Sequence, residues 1–126
     1  MFKRVSASIL CLDYNNKDIL KLALSDVEKA GANFVHLDVM DGKFVPKKTF
    51  DHELVNFIKE NTSLMLDVHL MVEKPEEVVD DYIKLGVDII TFHFEATDNP
   101  KALLQKIKDK NILAGISITM RAKSKT

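Results

Sequence analysis

The sequence is poor in several features that would each indicate a class of protein. Its 126 residues include a single cysteine, Cys11, which excludes an internal disulfide framework. The N-terminal stretch MFKRVSASILCLD has too short an apolar run to predict a signal peptide or a membrane span, so the cytoplasm is the expected compartment. The four glycines form neither a GxGxxG motif nor a glycine-rich phosphate loop. No Ser-His-Asp order is present either.

An excess of charge of one sign is also missing. Lysine and arginine total 18 and aspartate and glutamate 19, which gives a formal net charge of -1 from well-mixed residues. There is no basic face to recruit nucleic acid and no acidic tail, so no nucleic-acid partner is expected. A chain of this length with 46% hydrophobic and 29% charged residues is typical of one globular domain that can bury a core.

What the chain does contain is a repeated β-α pattern. Periodicity predicts strands near residues 5–10, 33–39, 64–71, 88–93 and 112–118, and helices near 17–30, 51–60, 75–85 and 99–109. Helices are expected to begin at NNKD, KPEEV and DNPKA, and Gly31 and Gly86 mark helix-to-strand junctions. Eight such units would need about 200 to 250 residues. With four units and a fifth strand, the chain is either a complete open parallel sheet or roughly half of a barrel.

Each predicted strand carries one aliphatic face and one polar face, because strand residues two apart point the same way. The polar faces hold Ser6 and Ser8, then Phe34, His36, Asp38 and Met40, then Met65, Asp67, His69 and Met71, and finally Thr91, His93 and Glu95. Strands of an open doubly wound sheet read as continuous apolar runs, whereas the inward face of a barrel becomes a lumen. The alternation therefore favours an α/β fold of the (β/α)8 TIM-barrel type, here a truncated barrel of about five parallel strands and four helices.

One cluster on the polar faces has the composition of a metal site. His36, Asp38 and His69 come from adjacent strands and form a plausible ligand set for zinc, iron or manganese. A buried histidine is also often a hydrogen-bonded core residue, so both interpretations stay open. Asp67 could orient a histidine through its second ring nitrogen or bond to the backbone. Met40 and Met71 are, from the sequence pattern alone, ordinary core residues.

Four motifs, SASILCLDY, VHLDVMDGKFVP, LDVHLMVEKPE and ITFHFEA, resemble in order and spacing those of the ribulose-phosphate 3-epimerase family. The resemblance covers about residues 5–118. It implies a (β/α)8 barrel that interconverts D-ribulose 5-phosphate and D-xylulose 5-phosphate in the pentose phosphate pathway. Residues 1–118 are accordingly expected to be the N-terminal part of a ribulose-phosphate-binding barrel, and residues 119–126 a divergent basic tail.

The resemblance also implies roles for individual residues. His36, Asp38 and His69 would hold a divalent metal ion, and Asp38 would double as one of two acid/base carboxylates. Ser8 and His69 would contact the phosphorylated ketopentose, while Met40 and Met71 would line the lumen beside the enediolate. Epimerisation needs a base on one side of the carbon and an acid on the other, which explains the demand for two carboxylates.

The sequence also departs from the family pattern. Ala7 stands where the family usually has proline, and Lys47 where it has asparagine after FVP. The second catalytic aspartate, which is also the fourth metal ligand, and the phosphate-binding loops belong to the second half of the family's barrel and have no counterpart here. We therefore expect the isolated monomer to be inactive.

Three alternatives remain open at this stage. A hexulose 6-phosphate 3-epimerase of the allulose type would use the same motifs. A non-catalytic half-barrel fragment could self-associate through its open sheet edges, which leaves room for a homo-oligomer. An unrelated metal-binding α/β protein would leave the order of the four motifs unexplained.

Overall fold

The computed structural model of the protein describes residues 6–8, 16–46, 48–49 and 52–118. Strands alternate with helices in the order β1 (Ser6–Ser8), α1 (Lys17–Lys29), β2 (Phe34–Met40), α2 (His52–Glu60), β3 (Met65–Met71), α3 (Pro75–Leu85), β4 (Ile89–His93), α4 (Pro100–Lys108) and β5 (Leu113–Ser117). The predicted elements are confirmed, and from α1 onward their bounds agree within one residue. Residues 5, 9 and 10 of the first predicted strand, Cys11, Lys47 and the tail 119–126 lie outside the described residues.

The helices begin where the sequence places their start signals. The Asn16 side chain accepts a hydrogen bond from the backbone N–H of Ile19, and Asn99 accepts one from Ala102 in the same way. Such caps satisfy amide groups that the first turn of a helix leaves unpaired. At the other end of α3, Gly86 adopts a φ of 77°, a left-handed conformation that glycine reaches without steric cost.

The five strands form one parallel sheet in the order β1-β2-β3-β4-β5. Its aliphatic face packs under the helices and supplies the core, as the alternation predicts. The buried side chains include Val35, Leu37, Val39, Leu66, Val68, Leu70, Ile90 and Phe92 from the sheet and Leu20, Leu24, Val55, Ile58, Val79, Leu103 and Ile107 from the helices. Burying each large aliphatic side chain stabilises the folded state by about 1.5 to 3 kcal/mol relative to leaving it in water.

The sheet has edges at β1 and β5, and the described strands form no closed barrel. At the β5 edge, Leu113, Ile116 and Ile118 are exposed. The strand β4 ends at His93, as predicted, but the expected alternation of faces does not continue beyond it, because a 3₁₀ turn follows over Phe94–Ala96. Alternation from Ile90 and Phe92 places Phe94 on the aliphatic face, but this side chain is 51% exposed.

No helix within the described ranges is long and apolar enough to cross a membrane.

Candidate metal centre

The strand register brings the predicted metal ligands together on the polar face of the sheet. In the pairing of β2 with β3, Asp38 lies opposite His69 and His36 lies opposite Asp67. One donor atom from each of His36, Asp38 and His69 lies within 4.8 Å of the other two. The parallel register thus assembles the cluster from positions 31 residues apart in the chain.

The distances within the cluster suit a shared ion. Asp38 Oδ1 lies 2.8 Å from His36 Nε2 and 3.2 Å from His69 Nδ1. Nitrogen and oxygen donors that share a first-row divalent ion at about 2.0 to 2.2 Å stand on the order of 3 Å from one another. The two imidazoles and the carboxylate also have the donor chemistry of zinc, iron and manganese sites. The residues present therefore fit a divalent metal ion.

Asp67 contacts one of these histidines through the ring nitrogen that faces away from Asp38. Its Oδ2 lies 3.0 Å from His36 Nδ1, so of the two roles open to Asp67 from the sequence, the structure shows the contact with a histidine. A carboxylate in this position fixes the tautomer and the orientation of a metal-binding imidazole.

The pKa values of the two histidines are shifted in opposite directions. The hydrogen bond to Asp67 raises the pKa of His36 to about 9, with burial opposing and Asp38 reinforcing the rise. Burial lowers the pKa of His69, and the nearby His93 lowers it further, although Asp38 acts in the other direction. A metal ligand must offer an unprotonated nitrogen. The lowered pKa of His69 favours the unprotonated form that binds a cation, whereas the raised pKa of His36 means that it must release a proton.

A second pair of side chains supports His69, and sequence reasoning did not assign it to the site. His93 Nε2 lies 2.8 Å from His69 Nε2, and His93 Nδ1 lies 3.3 Å from Glu95 Oε1. Both residues stood on the predicted polar face of the fourth strand. Parity could have indicated their direction, but not which neighbour on β3 they would reach.

The segment after β2 folds back over the same end of the sheet. Asp41 accepts hydrogen bonds from the backbone N–H groups of Lys43 and Phe44 and, through Oδ2, from that of Glu73 after β3. Burial opposes ionisation of Asp41, but these backbone bonds outweigh it and lower its pKa. The Asp-Gly pair is thus more than a local turn, because Asp41 joins two loops. No local pattern in the sequence indicates this long-range contact.

Thr49 holds the end of this segment against β2. Its hydroxyl donates to the backbone oxygen of Asp38 and accepts from the backbone N–H of Met40. These two hydrogen bonds fix the backbone of β2 at Asp38 and at Met40. No pattern in the sequence indicates them.

The remaining site predictions lie in the same region. Met40 and Met71 face each other in the β2–β3 register, and both are partly buried. Ser8 pairs with His36 through the β1–β2 register, while its side chain lies outside what the structure describes. The contacts of these three residues with a substrate stay predictions.

A parallel β-α sheet with a His-Asp-His donor set on its polar face is typical of a partial β/α barrel that carries a candidate metal site. The comparisons with known proteins agree with this class. A family model described as "Ribulose-phosphate 3 epimerase family" matches residues 4–125. The chain therefore belongs to the ribulose-phosphate 3-epimerase family.

Curated relatives carry the same description. The chain is 39% identical over 114 residues to the ribulose-phosphate 3-epimerase of Treponema pallidum, a match covering 90% of this chain and 51% of that protein. It is 40% identical over 113 residues to the Bacillus subtilis protein of that name, again with 90% and 51% covered. A rice protein named as a cytoplasmic isoform is 34% identical over 116 residues, which cover 91% and 50%. The chain spans about half the length of these relatives.

Proposed function

We propose that this chain supplies the metal-binding half of a ribulose-phosphate 3-epimerase, which interconverts D-ribulose 5-phosphate and D-xylulose 5-phosphate. The observation that carries the proposal is the convergence of His36, Asp38 and His69 on one point of the polar face, in a chain of this family. The names of the relatives supply the reaction. The cytoplasm remains the expected location.

Asp38 is the residue that we assign to proton transfer. Both histidine contacts fall on its Oδ1, so neither histidine engages Oδ2. A carboxylate oxygen in that position can take the proton from C3 of the ketose, and the electron pair of the C–H bond then delocalises onto the adjacent carbonyl oxygen as an enediolate. Returning a proton to the opposite side of C3 inverts the centre. A bound divalent metal ion would supply Lewis-acid polarisation of the substrate oxygens.

Inversion requires a second acid/base group on the opposite side of the substrate. Two further carboxylates lie near the described cluster, and each contacts a histidine: Asp67 is bound to His36 Nδ1, and Glu95 to His93 Nδ1. We infer that the second group comes from outside these 126 residues and that the chain alone is inactive. The exposed Leu113 and Ile116 at the β5 edge agree with a surface that further barrel elements cover.

Complementation between fragments tests this proposal. The chain would be combined with the part of the Bacillus subtilis relative that lies outside the matched 51%. Epimerisation of ribulose 5-phosphate would be followed with Zn²⁺, Fe²⁺ or Mn²⁺ present. We expect activity when both halves are present, and a loss of at least about 100-fold in the Asp38→Asn variant. Asp81→Asn, on the exposed surface of α3, is the matched control and should behave as the parent chain. Robust epimerisation by the 126-residue chain alone would overturn the proposed inactivity.

The same assay with allulose 6-phosphate distinguishes the pentose from the hexose substrate. A preference for the hexose would replace the proposed reaction by that of a hexulose 6-phosphate 3-epimerase, with Asp38 in the same role.

A non-catalytic, self-associating half-barrel is the second candidate. The two open sheet edges and the exposed Leu113, Ile116 and Ile118 favour it. Light scattering over a range of concentrations tests this alternative, and Ile116→Lys should reduce the associated fraction. A strictly monomeric, folded chain would count against it.

A further inference from the structure

Each predicted metal-binding histidine uses both ring nitrogens, and the two outer partners differ. His36 directs Nε2 at Asp38 and Nδ1 at Asp67. His69 directs Nδ1 at Asp38, but its Nε2 meets a second histidine, His93, at 2.8 Å. The partner of His69 is therefore a side chain that can either donate or accept, whereas a carboxylate such as Asp67 can only accept.

The contact between His69 and His93 is a hydrogen bond between ring edges, not a face-to-face stack. Their planes are only 13° apart and their centroids lie 4.8 Å apart. Aromatic faces in van der Waals contact stay about 3.5 Å apart, so nitrogens 2.8 Å apart require rings that meet edge to edge. A hydrogen bond between the two nitrogens contains one hydrogen. Which ring carries it decides what His69 presents on its other side.

Glu95 determines the direction of this bond. Its Oε1 lies 3.3 Å from His93 Nδ1, and a carboxylate only accepts, so the proton sits on His93 Nδ1. A neutral His93 then has a lone pair at Nε2, and His69 must donate from its own Nε2. The Nδ1 of His69 is left with a lone pair that points at Asp38.

The surroundings keep the pair in place. His93 is 7% exposed, and the ring of Phe44 packs against it with centroids 5.0 Å apart. In the resulting tautomer, His69 Nδ1 and Asp38 Oδ1 are two acceptors 3.2 Å apart. Two acceptors at that distance repel each other unless a cation lies between them.

We propose that His93 and Glu95 form a positioning dyad that holds His69 in the tautomer whose Nδ1 lone pair faces a divalent cation. The proposal rests on the metal site of the proposed function and adds two residues to it. Neither residue touches the ion: Glu95 fixes the tautomer of His93, and His93 fixes that of His69. His93 thus acts on His69 as the Asp67 carboxylate acts on His36: each fixes the tautomer of its partner through the ring nitrogen that faces away from Asp38.

The first measurement reads the tautomers directly. Long-range ¹H–¹⁵N correlation spectra of the chelator-treated chain report which ring nitrogen of each of the four histidines carries hydrogen. We expect His69 to carry it on Nε2 and His93 on Nδ1, and Glu95→Leu to release this preference. Hydrogen on His69 Nδ1, with His93 as the donor between the rings, would overturn the proposal.

The second measurement is the affinity of the chelator-treated chain for Co²⁺, followed by calorimetry and by the visible spectrum of the bound ion. His93→Leu should weaken binding by about 10- to 100-fold, the usual effect of losing such a partner. His93→Gln keeps an acceptor near His69 and should retain most of the affinity. His52→Leu and His52→Gln, at an exposed histidine of α2, are the matched controls and should bind as the parent chain does.

The tautomer spectra and the Co²⁺ affinities together distinguish failure of the dyad from failure of the metal site. A folded His93→Leu variant with parental Co²⁺ affinity would overturn the dyad and leave the metal site intact. If His93→Leu does not fold, equal loss of affinity in His93→Gln would overturn the acceptor role. Absence of Co²⁺ binding by the parent chain would overturn the metal site of the proposed function. The tautomer spectra would still test whether His93 and Glu95 fix the tautomer of His69.

Discussion

Replacing Asp67 by asparagine should weaken the hold of His36 on its ring proton in the metal-free chain. Asp67 is the largest cause of the high His36 pKa, and the two side chains meet at 3.0 Å. Asparagine keeps the size of the side chain and a carbonyl acceptor but removes the negative charge. We expect the His36 pKa to fall from about 9 by at least about one pH unit and to stay above 6.5, because Asp38 remains 2.8 Å away.

The shift has a defined effect on stability. A pKa of about 9 in the folded chain against 6.5 for an unperturbed histidine corresponds to about 3 kcal/mol favouring the protonated ring. Because the folded-state pKa is the higher one, this contribution is fully present below pH 6.5 and is lost as the pH rises through about 9. The stability of the parent chain should thus decline more between pH 6.5 and pH 9 than that of Asp67→Asn.

NMR titration of the histidine ring protons, with urea unfolding at several pH values, tests both parts. The chain is first treated with chelator, since a bound cation would compete with the proton. Asp81→Asn, the exposed change on α3, should leave the His36 titration unchanged. A His36 that titrates near 6.5 in the parent chain, or equally in parent and Asp67→Asn, would refute the argued geometry.

Three further predictions concern the scaffold. Leu70→Ala, at a fully buried strand position, should lower the free energy of urea unfolding by about 2 to 5 kcal/mol, whereas Leu22→Ala, 63% exposed on α1, should change it by less than about 0.5 kcal/mol. Asp41→Asn keeps one acceptor oxygen of two, so it should cost about 1 to 3 kcal/mol in urea unfolding at pH 7. The lowered Asp41 pKa contributes stability above pH 3.8 that is lost as the pH falls, and an unaltered acid-unfolding curve in Asp41→Asn would contradict this. Gly86→Ala, at a φ of 77°, should cost about 1 kcal/mol in thermal unfolding; an unchanged midpoint would contradict the strain.

Local signals predicted the elements closely because they arise from physics within a few residues. Asn16 and Asn99 cap helices through backbone groups three residues away, and period-two alternation identified the buried faces of the strands. Alternation misplaced Phe94 because it too uses only neighbouring residues and was extended past the end of β4. A strand's end depends on which neighbouring strand continues to pair with it, and alternation alone does not contain that information.

The candidate site could be predicted only in part. Strand parity put His36, Asp38 and His69 on polar faces, and the register of β2 with β3 then brought their donor atoms within 4.8 Å of one another. The resemblance of the motifs indicated the family that the comparisons establish. Local composition could not reveal the contact of His69 with His93, because these residues are 24 positions apart and on different strands.

The sequence by itself determined the order of the elements, the face on which each strand residue lies and the chemical types available for a metal site, because these follow from local periodicity and composition. Only the tertiary structure decided which of those polar groups meet. Parallel pairing sets the register between strands, and that register selects Asp67 for His36 and His93 for His69. The raised pKa of one histidine and the lowered pKa of the other follow from those contacts and from burial.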